Sequence, residues 1–360
     1  MQEGSTPKNQ QNSSDEYYMM RCLQLAKNSR GTAAPNPSVG CVIVYKQKII
    51  GEGYTSQFGG PHAEVNAIRS VKDKSLLSAA TLYVTLEPCA HFGKTPPCAD
   101  LILKNNIPKV IVGIRDPHKK VAGKGIQRLQ QAGCEVSVGT LEAACRAHHK
   151  RFILFQEELR PFIILKWAQS ADGFIAPDAS VRKEIGPFWI TNIRSKQLVH
   201  KWRSEEQGIL VGTKTVLEDN PELTTRNWHG NSPVRIVLDR DLRIKGDYHV
   251  LKGQAKTLII THKKVPDIEN GTISYERIDF NGDVANQIVA VLYRHHITSV
   301  MIEGGARTLS TFIDSGLWDE ARVLTGNTLI GKGLKAPMIS GDIIREFNIN
   351  NDQVKVILND

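Results

Sequence analysis

The 360-residue chain is 41% hydrophobic and 23% charged, the balance of a soluble globular protein with room for two cores instead of one. No apolar run approaches the roughly 20 residues that cross a bilayer, which excludes a membrane-spanning helix. The formal charge of +9 admits nucleic acid or a small phosphorylated ligand. The basic residues are scattered and lack aromatic interleaving, so a small phosphorylated ligand is expected and nucleic acid is not.

Met1 to Ser14 is polar and rich in Gln, Asn and Ser, without a signal-peptide core, and reads as a disordered tail of a cytoplasmic protein. From Glu16 to Ser29 the apolar spacing predicts a helix. Gly40–Tyr45 reads as a buried strand that turns at Lys46–Lys48 into Ile49–Gly51, forming a hairpin. Pro61 precedes a helical pattern through Val71, Thr81–Leu86 is a strand, and Pro97 opens a helix to about Asn105. Strands at Lys109–Ile114 and Glu135–Val138 flank a helix from Gly123 to Ala132. This alternation predicts an α/β layer with a largely parallel sheet. The pattern changes around Arg151 to Pro161, which places a domain boundary near Glu158 and divides the chain into 15–158 and 159–360. Beyond it, strands at Phe162–Trp167, Gly208–Val211, Val234–Leu238, Thr257–Thr261, Ser299–Ile302, Ala321–Thr325 and Val354–Leu358 alternate with helices at Arg194–Ser204, Val284–Arg294 and Thr308–Ser315. No internal repeat links the halves.

Cys22, Cys41, Cys134 and Cys145 sit among apolar neighbours and read as small core residues. Cys89 and Cys98 stand beside prolines near a helix start, downstream of Pro61-His62-Ala63-Glu64. Zinc favours nitrogen and thiolate ligands, and catalytic sites use three protein ligands with one position left for water. His62, Cys89 and Cys98 supply that count, and Glu64 is close enough to shuttle protons without ligating. A closed structural site would require a fourth ligand. His91 is the only close candidate, and it would leave Glu64 without a task. Residue type alone does not exclude another divalent metal. His-x-Glu with Pro-Cys matches the nucleobase-deaminase signature, but eight residues separate the cysteines instead of two.

The widened insert Cys89-Ala-His-Phe-Gly-Lys-Thr-Pro-Pro-Cys98, read with Asn36-Pro-Ser-Val-Gly40 and His62-Ala-Glu64, closely resembles the bifunctional riboflavin-biosynthesis deaminase/reductase family. The resemblance implies a cytidine-deaminase-like three-layer domain followed by a dihydrofolate-reductase-like domain. It implies deamination of 2,5-diamino-6-ribosylamino-4(3H)-pyrimidinone 5′-phosphate, then NADPH reduction of the product's ribosyl group to ribityl. One Zn2+ per chain and NADPH are the implied cofactors; a homo-oligomer is left open. Carried over by position, Asn36, His91, Lys94 and Thr95 contact the deaminase substrate. Lys166, Arg203, Leu223, Arg226 and Glu303 hold the reductase substrate, while Ala168, Trp189, Thr215, Asp219 and Gly305 hold the cofactor.

Gly304-Gly305 after a strand is not the G-x-G-x-x-G fingerprint, so a Rossmann dinucleotide site is not expected. Two positions depart from the family: Pro187 where a serine is frequent, and Arg240 near the cofactor's adenosine end. Arg240 is expected to favour NADPH by pairing with the 2′-phosphate. A polynucleotide deaminase and a zinc-stabilised binding protein are the competing readings.

Overall fold

The computed structural model describes residues 7–90, 96–118, 122–178, 180, 185–253, 255–265 and 271–359. It divides into two compact units, Met1–Glu158 and Leu159–Asp360. No helix among the described residues is long and apolar enough to cross a membrane.

In the first unit, strands β1 (Gly40–Tyr45), β2 (Lys48–Tyr54), β3 (Thr81–Leu86), β4 (Lys109–Ile114) and β5 (Glu135–Val138) form one sheet in the order β2-β1-β3-β4-β5. The expected largely parallel sheet is in fact mixed. The tight β1–β2 hairpin is necessarily antiparallel, and β1 also runs antiparallel to β3, while β3–β4 and β4–β5 are parallel. Lys46 and Gln47 make the hairpin turn with φ of 45° and 61°, a conformation more often given to Asn and Gly.

Helices α1 (Pro7–Ala26) and α5 (Glu142–Glu157) cover one face of this sheet; α2 (Ala63–Ser70), α3 (Cys98–Lys104) and α4 (Lys124–Gln131) cover the other. The result is a three-layer α/β/α sandwich around one core that includes Met19, Ile43, Leu82, Ile111 and Leu129. Helix α1 starts at Pro7, inside the stretch expected to be a disordered tail. Buried Tyr18, Met19, Cys22 and Ala26 anchor its C-terminal half, and proline is suited to a first helical turn, so polar turns extend an already nucleated helix.

The second unit is built on β6 (Phe162–Gln169), β7 (Phe174–Pro177), β8 (Gly208–Gly212), β9 (Val234–Leu238), β10 (Thr257–Thr261), β11 (Ile273–Arg277), β12 (Ser299–Gly304), β13 (Glu320–Thr325), β14 (Gly333–Lys335), β15 (Asp342–Ile349) and β16 (Asp352–Leu358). Nine of them form a sheet in the order β11-β10-β9-β8-β12-β6-β13-β16-β15, parallel from β11 through β13 and antiparallel at β16 and β15. Strands β7 and β14 pair separately. The helices are α6 (Ile193–Glu205), α7 (Thr213–Asp219), α8 (Val284–Arg294) and α9 (Ala306–Asp314). Helix α7 and strands β7, β11, β14 and β15 do not stand out in the sequence, because the strands bury none of their residues and the helix only Val216, leaving no clear apolar period.

The chain leaves β8 outward through β9, β10 and β11, then returns to insert β12 between β8 and β6. That reversal opens a crevice at the carboxyl ends of the parallel strands, where open α/β sheets bind ligands.

Phe312 on α9 is fully buried in the core beneath β6 and β12. All five tryptophans lie in the second unit, so their fluorescence reports its unfolding alone. Phe312→Ala is expected to destabilise this unit by about 3–5 kcal/mol, read as a lower urea midpoint of tryptophan fluorescence. An unshifted midpoint would show that α9 is not part of the cooperative core.

Candidate active sites

His62, Cys89 and Cys98 lie 27 and 9 residues apart in sequence, yet their ligand atoms all fall within 4.8 Å of one another. Three elements bring them together. His62 is the N-cap of α2, with its carbonyl accepting from Asn66 N–H. Cys98 is the first residue of α3, behind Pro97. Cys89 lies three residues after the end of β3, outside any helix or strand, and near a helix start through its contacts with α3. Its carbonyl and sulfur accept Ala99 N–H (3.1 Å) and Cys98 N–H (3.3 Å), so the first turn of α3 grips it. His62 Nδ1 is 3.7 Å from Cys89 Sγ and 3.4 Å from Cys98 Sγ.

The electrostatics of this corner fit a cation. Sharing with Cys98 and His62 pulls the Cys89 thiol well below its usual range, and the same sharing pushes Cys98 up. Glu64, in the first turn of α2, is only 4% exposed; burial, then the charge of Cys89, raises its carboxyl to about 7. One imidazole and two sulfurs make a nitrogen–thiolate donor set that suits zinc. The other four cysteines are buried and unpaired, as expected of core residues.

Asn36 is half-buried in the loop before β1. That loop is tied toward His62 by Thr55 Oγ1 donating to Pro37 O (3.1 Å) and Ser56 N–H donating to Pro61 O (3.0 Å). His91, Lys94 and Thr95 lie outside the described residues.

The crevice of the second unit has a volume of about 1690 Å3, and every residue assigned to the reductase lines it. At its floor Glu303, with a side chain 6% exposed, accepts both arms of Arg203 (2.8 and 2.7 Å) and lies 3.5 Å from Lys166 Nζ. Arg203 also donates to Thr224 O, so its fork is already engaged, whereas Arg226 is exposed and stands 3.8 Å from Glu222. Leu223 is 2% exposed with φ of 57°, so it offers the cleft mainly backbone.

Two residues beyond Glu303, Gly305 (φ 64°) precedes α9. A Cβ there would stand 3.3 Å from Thr215 Oγ1 and 3.7 Å from Thr308 Oγ1, so this glycine leaves a small polar cradle at a helix N-terminus, suited to a phosphate of NADPH. Ala168 is on β6, Asp219 ends α7, and Arg240 follows β9 as an exposed cleft residue. Trp189 is 53% exposed, with Lys196 Nζ 3.0 Å above its ring. Sequence reasoning missed Lys196 and Thr308. Neither carries a motif, and only the fold brings them to the crevice. Pro187 lines the same cleft without a hydroxyl.

Burial alone would raise Glu303, but Arg203 and Lys166 outweigh it and hold the carboxyl down to about 2. An unfolded-chain glutamate titrates near about 4.3, so this stabilisation is complete above that pH and is lost as pH falls toward about 2. Glu303→Gln leaves two buried cations unmatched. It is expected to cost about 3–5 kcal/mol at pH 7, with the deficit shrinking below about pH 4.5 in urea unfolding read by tryptophan. A deficit independent of pH would contradict the ion-pair account.

Comparison with known proteins finds a zinc-binding deaminase region followed by a reductase domain. Residues 161–360 match the family model of the RibD C-terminal domain, and residues 12–114 match that of the cytidine and deoxycytidylate deaminase zinc-binding region. The riboflavin biosynthesis protein RibD of Aquifex aeolicus is 39% identical over 323 residues, covering 89% of each chain. That of Escherichia coli is 34% identical, covering 88% of this chain and 89% of its own. Among solved structures, a diaminohydroxyphosphoribosylaminopyrimidine deaminase/5-amino-6-(5-phosphoribosylamino)uracil reductase from Thermotoga maritima superimposes with a TM-score of 0.86 at 34% identity, covering 97% of this chain and 99% of its own. RibD of Acinetobacter baumannii gives 0.88 at 30% identity with the same coverage. With two successive domain matches and relatives aligned along about nine-tenths of its length, the chain belongs to the RibD family of bifunctional riboflavin biosynthesis deaminase/reductases.

Proposed function

We propose that this deaminase/reductase uses His62, Cys89, Cys98 and Glu64 to convert the diamino-pyrimidinone ribosylamine 5′-phosphate to its uracil counterpart, and the second-unit crevice to reduce that product's ribosyl group to ribityl. The observation that carries the reading is the convergence of three ligand atoms within 4.8 Å beside a buried carboxylate. A zinc ion held by the three residues supplies electrophilic activation of water at neutral pH. Water replaces the 2-amino group, which leaves as ammonia. Glu64, raised to about 7 by its burial, accepts the water's proton and returns it to the departing nitrogen. Asn36 is suited to the pyrimidinone edge, since an amide both donates and accepts. By the family pattern, His91, Lys94 and Thr95 complete the grip on base and phosphate.

In the second unit, NADPH supplies the hydride. The Gly305 turn with Thr215, flanked by Ala168, Trp189 and Asp219, holds the cofactor. Lys166, Arg203 and Glu303 form a rigid polar floor under the sugar with backbone from Leu223, and Arg226 supplies the exposed cation for the substrate phosphate. Arg240 is assigned to the 2′-phosphate of NADPH. The six unpaired cysteines support a reducing, cytoplasmic setting, and scattered basic residues support a mononucleotide over a polynucleotide.

Glu64→Gln is expected to lower ammonia release by about 10²–10⁴-fold, with NADPH oxidation on the deaminated intermediate unchanged. Full ammonia release would reject Glu64 as the shuttle, and a matched loss of NADPH oxidation would indicate misfolding. Arg240→Ala is expected to reduce the NADPH-over-NADH preference by roughly tenfold, as for loss of one phosphate contact of about 1.4 kcal/mol. An unchanged preference rejects the assignment.

A further inference from the structure

Glu87 directly follows β3 and is 4% exposed, two residues before Cys89. Its carboxylate accepts four backbone N–H groups from one neighbouring segment. Oε2 takes Asp116 (3.1 Å) and Gly123 (3.0 Å), and Oε1 takes Gly125 (2.9 Å) and Ile126 (3.3 Å). Its own N–H donates to Ile114 O (3.0 Å). Helix α4 has no side-chain cap from its N-cap residue Gly123, so Glu87 caps it from another part of the chain.

The contact continues along the backbone. A Cβ on Gly125 would stand 1.9 Å from Pro88 O, so Pro88 lies directly on the first turn of α4. Cys89 is the next residue, and its other side is held by α3 through Cys98 N–H and Ala99 N–H. The Cys89 arm is thus clamped between two helix starts, with Glu87 fastening the α4 side.

We propose that Glu87 is a positioning residue for the metal centre: by fastening residues 87–89 to the first turn of α4, it fixes where the Cys89 sulfur stands. The inference rests on the reading of Cys89 as a ligand. Glu87→Gln separates positioning from bulk, because its amide NH2 replaces one oxygen and meets either the Asp116 and Gly123 donors or the Gly125 and Ile126 donors.

The test measures the rate at which the purified zinc-loaded protein gives up zinc to a chromophoric chelator, with far-UV thermal melting of the same samples. Glu87→Gln is expected to release zinc roughly 10–100-fold faster than wild type. Gly125→Ala presses on Pro88 with the carboxylate intact and is expected to act in the same direction; it carries the test if the glutamine variant does not fold. Leu129→Ala, which removes a fully buried side chain from α4 without touching the carboxylate contacts, is the comparator. At matched loss of thermal stability it is expected to hold zinc as wild type does.

Zinc release by Leu129→Ala as fast as by Glu87→Gln would reduce Glu87 to a helix cap and overturn the proposal. So would wild-type release from both Glu87→Gln and Gly125→Ala when Cys89→Ser loses zinc. Retention of zinc by Cys89→Ser at the wild-type rate would instead overturn the ligand assignment on which the inference rests.

Discussion

Two cysteine sulfurs and a carboxylate crowded into one largely buried corner cannot all carry their charge unless a cation joins them. The conflict is visible in this chain: burial and the charge of Cys89 raise the Glu64 carboxyl, and the Cys89 and Cys98 sulfurs compete for one proton. A divalent ion among His62, Cys89 and Cys98 would resolve it, and the surrounding fold keeps their three donor atoms within 4.8 Å of one another. The N-cap of α2, the first turn of α3 and the end of β3 meet at one end of the sheet, each fixed by backbone hydrogen bonds.

The second unit meets a similar difficulty with residues of its own. Glu303 is buried at the carboxyl end of β12, and Lys166 and Arg203 stand ready to neutralise it. Its site is therefore electrostatically complete at the floor, and the open part of the crevice is left to Arg226, Arg240 and the Gly305 turn. One unit relies on an external ion to balance its charge, the other on lysine and arginine. This explains why the deaminase is tied to a metal while the reductase floor is a self-contained ion cluster.

The metal corner was legible in the sequence because its chemistry is written in residue types that have few other uses together: a histidine, a glutamate two residues on, and cysteines behind prolines. The strands β3, β4, β9 and β10 were equally clear, since buried strands read as continuous apolar runs. Helix α1 was truncated in the reading because its polar first turns carry no periodic signal and borrow stability from the buried end. Glu87 stood in plain view between Leu86 and Pro88, but four partners between Asp116 and Ile126 are a tertiary fact, invisible to spacing. Lys196 over Trp189 was hidden for the same reason. The ion pair that engages the Arg203 fork with Glu303 was likewise invisible, since 100 residues separate the two in sequence.

The most direct measurement is X-ray absorption at the zinc edge of the purified chain, with metal content determined on the same sample. One zinc per chain, coordinated by two sulfurs and one imidazole nitrogen with oxygen completing the shell, is the expected result. A shell of three or more sulfurs, or one with nitrogen and oxygen alone, would contradict a centre built from His62, Cys89 and Cys98.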